Sequence, residues 1–202
     1  MKLALATANP GKIKEMINIL AEQGVEVITR ESLGIDFEVE ETGTTFSENA
    51  RIKAAAIYNA SKMPSIADDS GLAVDALGGE PGVYTSSFGG DELSATERCN
   101  YLLKKMEKVE DIEQRRAKFV CTIVCAFPDG ELIEASGECP GYIAFAPAGS
   151  GGFGYDPVFI PEGFDKTMAQ LTSDEKNAIS YRGEALRNFS RLLASYKAGN
   201  NL

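Results

Sequence analysis

Histidine is missing altogether from this 202-residue chain. Without imidazole, a zinc centre and a nucleophile activated through a Ser–His or Cys–His pair are both argued against. Cysteine is scarce: Cys99, Cys121, Cys125 and Cys139 make neither a CxxC pair nor a regular framework. Cys121 and Cys125 lie in an apolar run, where a free thiol behaves as a small hydrophobe. Long apolar segments are lacking too. The run from Phe119 to Phe127 is among the longest and is far too short to cross a bilayer. Met1 leads straight into an extended segment, without the basic region, apolar stretch and cleavage site of a signal peptide. A cytoplasmic protein with no membrane partner is expected. Positive charge is in deficit: 20 Lys and Arg face 30 Asp and Glu, giving a net charge of −10 and a pI near 4.6. That balance speaks against a nucleic-acid surface, which needs a basic footprint. A small polyanionic substrate stays open, because local lysines and a divalent cation can reverse the field inside a cleft. Any metal here would be a hard cation held by carboxylates.

What is present is an ordinary globular composition, 44% hydrophobic and 25% charged with 20 Gly and 8 Pro, large enough for one substantial core or two lobes sharing a cleft. No repeat, low-complexity tract or long linker divides it, so residues 1–202 are expected to act as a single domain. Lys2–Thr7 reads as a buried strand, and Ile13, Ile17 and Leu20 follow at helical spacing. Val25–Ile28 reads as a strand and Phe46–Ala60 as an Ala-rich helix stopped before Pro64. Ser65–Ala67 and Leu72–Val74 read as short strands on either side of Asp-Asp-Ser-Gly. Ser94 or Thr96 opens a helix through Met106. Lys118–Phe127 and Glu131–Ile143 flank Pro-Asp-Gly as a long hairpin. Thr172-Ser-Asp-Glu175 fits a capping box, and Ile179, Leu186, Phe189 and Leu193 continue as a helical stripe. Helices mixed with strands and a hairpin predict an α/β fold with a mixed sheet.

Five segments carry chemistry. Thr7-Ala8-Asn9-Pro10-Gly11-Lys12 turns from a strand into a helix, whose N-terminus suits phosphate and to which Lys12 adds a charge. It lacks the second glycine and the Ser or Thr of a P-loop, and on its own it is also good turn chemistry. Glu40-Glu41 and Asp68-Asp69 supply carboxylates from separate segments, the usual minimal anchor for Mg²⁺. Neighbours in an extended chain face opposite ways, so one acid of each pair shares a given site. Alone, Glu40-Glu41 reads equally as a solvated acidic edge. On the second helix Glu48 and Ile52 share one face, and Asn49 and Lys53 another. Gly149-Ser-Gly-Gly-Phe153-Gly154-Tyr155-Asp156-Pro lets backbone approach a ligand and offers a ring for a base to stack on. Lys176 with Ser180-Tyr181-Arg182, assigned to the last helix, brings donor groups suited to a keto oxygen.

In this order the segments resemble the inosine triphosphate pyrophosphatase family, over nearly the whole chain. Its most specific pieces are Glu41-Thr-Gly-Thr-Thr-Phe46, Ala67-Asp-Asp-Ser-Gly-Leu72, Gly78-Gly-Glu-Pro-Gly-Val-Tyr84 and Gly151-Gly-Phe-Gly-Tyr-Asp-Pro157. The resemblance implies an elongated α/β fold, its mixed sheet flanked by helices, with two lobes around a central active-site cleft, and a homodimer. It implies hydrolysis of ITP, dITP and XTP to the monophosphate and pyrophosphate, with Mg²⁺ and with water attacking the α-phosphorus. Carried over by resemblance, Thr7 to Lys12 and Lys53 hold the triphosphate. Glu41 and Asp69 look like magnesium-site acids, with Glu40 and Asp68 as neighbours. Asp69 resembles the general base and Ser70 a substrate contact. Phe153, Gly154, Tyr155, Asp156, Lys176, Tyr181 and Arg182 look like the base pocket. Family members usually have His where this chain has Tyr181, which bears on base preference rather than reaction class. A nucleotide-sensing binder, or a hydrolase of modified pyrimidine nucleotides on a similar fold, are the other readings to be separated by the product released.

Overall fold

The computed structural model describes residues 1–200. A six-stranded sheet runs in the order β2-β1-β3-β4-β5-β6, built from β1 (Lys2–Leu5), β2 (Glu26–Thr29), β3 (Ser65–Val74), β4 (Arg116–Ala126), β5 (Leu132–Ile143) and β6 (Phe159–Pro161). β1 is parallel to β2, with Leu3 opposite Val27, and parallel to β3, with Leu5 opposite Ile66. β6 is antiparallel to β5, with Tyr142 opposite Ile160. The sheet is therefore mixed, as expected. The helices are α1 (Pro10–Ala21), α2 (Phe46–Ser61), α3 (Ala95–Lys105), α4 (Ser173–Ala178) and α5 (Tyr181–Gly199). None of them is long and apolar enough to cross a membrane.

The chain divides into two compact units. The first comprises residues 1–70, 121–137 and 182–202; the second comprises 71–120 and 138–181. The first has a core of small side chains: Ala4, Ala6, Ala50, Ala54 and Ala67 meet Ile57 and Val124, so strand and helix backbones approach closely. The second has a bulkier one, in which Leu102, Met106, Phe119, Tyr155, Phe159 and Met168 pack together.

Helix boundaries follow local chemistry. Asn9 caps α1 and Pro10 takes its first turn, where a missing N–H costs nothing. Thr45 with Glu48, Ser94 with Glu97 and Thr172 with Glu175 all form capping boxes. The predicted hairpin closes tightly: Phe127 donates to the Glu131 carbonyl at 3.0 Å and Gly130 to that of Phe127 at 3.1 Å.

Two readings change. Asp-Asp-Ser-Gly does not divide two short strands but stays extended within the single strand β3, because both aspartates find cationic partners and need no turn to reach water. The Thr172–Glu175 capping box opens α4 rather than the long last helix. The chain breaks at Ile179-Ser180 before α5 begins, so Lys176 and Tyr181 lie on different helices. The four cysteines are all buried free thiols, and burial pushes Cys121 up to about 12.

Candidate active site

Two clusters form, one in each unit. In the first, alternation along β3 separates Asp68 from Asp69. Asp68 is 3% exposed, and its Oδ2 accepts from Lys12 Nζ at 2.7 Å. Its Oδ1 is buried without a hydrogen-bond partner among the described residues. Asp69 Oδ1 accepts from Lys53 Nζ at 2.9 Å, and the same ammonium reaches Glu41 Oε2 at 3.0 Å. Burial pushes the Asp69 carboxyl up and Glu41 adds to the rise, against Lys53 and Asn49, which pull it down. For Lys53, burial lowers the pKa, and Asp69 and Glu41 together outweigh it and raise the net value.

The charge balance of this cluster matters. Two ammoniums face the three carboxylates Asp68, Asp69 and Glu41, leaving one negative charge before the exposed Glu40 is added. A triphosphate brought here would meet an acidic surface unless a cation came with it. Glu41 and Asp69 converge on a single cation already, and their hard oxygens suit a divalent one. Among the described residues no group of three or more acids, cysteines or histidines gathers as a ready-made metal cage.

The turn before α1 is tidier than the sequence suggested. Asn9 Oδ1 accepts from the N–H groups of Gly11 at 2.9 Å and Lys12 at 3.2 Å. Thr7 Oγ1 accepts from Asn9 N–H at 3.1 Å. The first turn is thus capped from within, and the charge available to an anion is the Lys12 ammonium. Ala8, Pro10 and Gly11 are exposed, and Ser70 is half-buried. Arg182, grouped with Lys176 on the sequence, belongs to the first unit, where its Nη1 donates to Glu15 of α1 at 3.1 Å.

In the second unit Asp156 is 8% exposed, and its Oδ2 accepts from Lys176 Nζ at 2.9 Å and from Phe153 N–H at 3.2 Å. Gly152 has a φ of +79°, and a Cβ there would run into Asp156 Oδ2 and Lys176 Nζ. Only glycine lets the loop close over this pair. Phe153 is 72% exposed, an aromatic face left open to solvent. Tyr155 turns inward, its hydroxyl donating to the Thr85 carbonyl at 3.1 Å, while the Cys99 thiol donates to the Gly154 carbonyl at 3.3 Å. Burial and the neighbouring Asp156 push that thiol up to about 11. Tyr181 stacks on Phe119, centroids 5.2 Å apart and rings 10° from parallel.

Sequence reasoning missed Asn49 as a partner of Asp69. Its i,i+4 relation to Lys53 was the available signal, since both side chains reach Asp69, Asn49 Nδ2 at 3.3 Å. Asn9 directly before Pro10 was the available signal that a side chain would occupy the α1 amides.

Known proteins resemble this chain over nearly its whole length. The dITP/XTP pyrophosphatase of Bacillus subtilis is 47% identical over 189 residues, covering 94% of this chain and 95% of that protein. The protein of that name from Aquifex aeolicus is 48% identical over 199 residues, 96% of each. The solved Staphylococcus aureus Ham1 protein superposes with a TM-score of 0.89 at 41% identity, over 98% of this chain and 100% of that one. The Ham1 family model matches residues 3–192, and the chain belongs to the Ham1 family.

Proposed function

We propose that the chain hydrolyses noncanonical purine nucleoside triphosphates, dITP, ITP and XTP, to the monophosphate and pyrophosphate, acting as one functional domain in a cytoplasmic homodimer. The carrying observation is the Lys53 ammonium held between Glu41 and Asp69, 3.0 and 2.9 Å away, in an acid-rich cluster suited to a metal-bound polyphosphate. The names of the curated relatives support the substrate class.

Glu41 and Asp69, with Glu40 beside them, would hold Mg²⁺, which when bound supplies charge neutralisation at the phosphoryl oxygens. Phosphoryl transfer asks the protein chiefly for positioning and electrostatics. Asp69, with its carboxyl raised by burial, accepts the proton of the attacking water as the new oxygen–phosphorus bond forms at the α-phosphorus. The bond to the bridging oxygen breaks, and pyrophosphate leaves with the electron pair. Lys12 and Lys53 take phosphate oxygens, and each starts from a carboxylate partner that fixes its direction. Thr7, Ala8, Asn9, Pro10 and Gly11 shape the turn that presents Lys12, and Ser70 contacts the substrate next to Asp69.

Base selection falls to the second cluster, with Phe153 for stacking, Gly154 and Tyr155 setting the loop, and Tyr181 as a donor. Lys176 and Asp156 place a donor beside an acceptor. Hypoxanthine offers the matching edge, a 6-keto oxygen beside an N1–H. Adenine offers the reverse, a 6-amino group beside a bare N1. Each mismatched buried group costs ~1–3 kcal/mol. Guanine shares the hypoxanthine edge, so this pair does not separate ITP from GTP.

The test is to incubate the protein with Mg²⁺ and a nucleotide panel and identify the products. Monophosphate and pyrophosphate from dITP or ITP are expected, with ATP cleaved far more slowly. Orthophosphate without pyrophosphate, or equal rates on ATP, refutes the assignment.

A further inference from the structure

Asn49 is 2% exposed on the first turns of α2, and both ends of its amide are committed. Its Oδ1 accepts from Gly43 N–H at 2.8 Å, and its Nδ2 donates to Asp69 Oδ2 at 3.3 Å. The backbone N–H can only donate, so it fixes the amide with its oxygen towards Gly43 and its NH₂ towards Asp69. The packing enforces this. A Cβ on Gly43 would lie 2.6 Å from Asn49 Oδ1, 2.6 Å from Glu48 Cβ and 2.9 Å from Asn49 N. Glu48 secures the same loop, its Oε2 accepting from Thr44 N–H at 2.6 Å, Thr44 Oγ1 at 2.8 Å and Thr45 N–H at 3.2 Å. Glu41 stands two residues before Gly43 on that loop and meets Lys53 together with Asp69.

We propose that Asn49 is a positioning residue for the reaction: its amide bridges Gly43 and Asp69, and so sets the Asp69 carboxylate and the Glu41-bearing loop in register around Lys53. This rests on the assignment of Asp69 as the base. An isolated ion pair would leave Asp69 free to rotate about Cα–Cβ while keeping one oxygen on Lys53. The Asn49 donor occupies the second oxygen and removes that freedom. Misplacement of a catalytic group by about 1 Å can cost on the order of a hundredfold.

Two substitutions separate the ends of the amide. Asn49→Asp keeps an acceptor for Gly43 N–H but turns an acceptor against Asp69. Asn49→Ala removes both contacts. With ITP and Mg²⁺, kcat should fall roughly ten- to hundredfold in both, with KM changed less than about threefold. The melting temperature should fall in both, in Asn49→Ala through the lost contacts and in Asn49→Asp through a buried carboxylate set against Asp69. A role through Asp69 also predicts non-additivity: in an Asp69→Asn background, Asn49→Asp, which keeps an acceptor for Gly43 N–H, should alter the residual rate less than about threefold. Full turnover in folded Asn49→Asp overturns the proposal, as does an undiminished effect in the Asp69→Asn background. Failure of the underlying assignment looks different, since Asp69→Asn itself would then keep near-parental turnover. Gly43→Ala should reproduce the loss of kcat by displacing the amide; normal kcat there also counts against the bridge.

Discussion

In the first unit the chemistry-bearing side chains are fixed by one another: Lys12 by Asp68, Lys53 by Glu41 and Asp69, and Asp69 by Asn49. In the second, backbone holds the group in place. Phe153 N–H grips Asp156, Gly152 leaves the space that the Asp156–Lys176 pair fills, and the Thr85 and Gly154 carbonyls accept from Tyr155 and Cys99. A cluster balanced by charge against charge is vulnerable to a change of charge at constant shape. One moulded by backbone is vulnerable to a change of shape at constant charge.

The largest expected effect is therefore an isosteric charge deletion in the first unit. Asp69→Asn should lower kcat on ITP on the order of 10²-fold or more, the scale of lost acid–base help. Stability should not follow activity. The folded-state pKa of Asp69 is raised, so its neutral form stabilises the fold. That contribution is complete below the unfolded value near ~3.9 and disappears as pH rises through the raised folded value. At pH 7 burial works against the wild-type carboxylate while its pairing with Lys53 works for it, so Asp69→Asn should change the melting temperature in metal-free buffer far less than it changes kcat. Calorimetry with steady-state assays checks both halves; a folded variant with normal kcat removes Asp69 from the mechanism.

Next comes the contrast between the two lysine–aspartate pairs. Lys12→Met leaves a carboxylate with a fully buried side chain and no cation, which costs about 3 kcal/mol or more. Lys176→Met leaves Asp156 with the Phe153 N–H and a side chain 11% exposed where that of Asp68 is 0%, so its loss of stability should be smaller. Denaturant titration of both variants decides it. Equal losses would mean that Asp68 is better compensated than its surroundings indicate. Shape is probed by Gly152→Ala, which adds a Cβ against Asp156 and Lys176 at a φ of +79°. A left-handed non-glycine residue costs roughly 1–2 kcal/mol, and the displaced pair should lower kcat/KM for ITP on the order of tenfold. The ITP-to-ATP ratio should shrink with it, and an unchanged ratio would take the pair out of base reading.

How much of this was legible differs between the units for the same reason. Asp68 and Asp69 stood out as acids between apolar segments, with strand alternation separating them in advance, and Lys12 stood at a helix start, whereas Glu41 and Lys53 read equally as solvated residues and were singled out only by the family resemblance. The mixed sheet, the Pro-Asp-Gly hairpin and the capping boxes were legible from local turn and cap chemistry. The unbroken β3 was not, because Asp-Asp-Ser-Gly is turn-like until Lys12 and Lys53 arrive from elsewhere in the chain to pair the acids. The need for glycine at 152 was equally hidden, since it arises from Lys176, which is distant in sequence.

The smallest expected effect concerns Tyr181, where the chain leaves its family's usual His. Its ring lies flat on Phe119, which in turn packs against Phe159 with centroids 4.6 Å apart. The ring therefore belongs to the second unit's core whatever the hydroxyl does. Tyr181→Phe preserves the stack and deletes one neutral donor, so the fold should survive with its melting temperature little changed. If the hydroxyl reads the 6-keto oxygen, its loss costs about 1 kcal/mol, the net scale of one hydrogen bond, and the ITP-to-ATP ratio of kcat/KM falls roughly fivefold. Tyr181→His keeps a flat ring and a donor but introduces a group whose charge changes between pH 5 and 8. A positive imidazolium favours a keto oxygen, so its ratio should rise as pH falls, whereas the parent's should stay nearly flat across that range. Measuring kcat/KM for ITP and ATP at several pH values in the three proteins separates the two roles of the ring. An unchanged ratio in Tyr181→Phe assigns Tyr181 to packing alone and leaves base reading to Lys176 and Asp156.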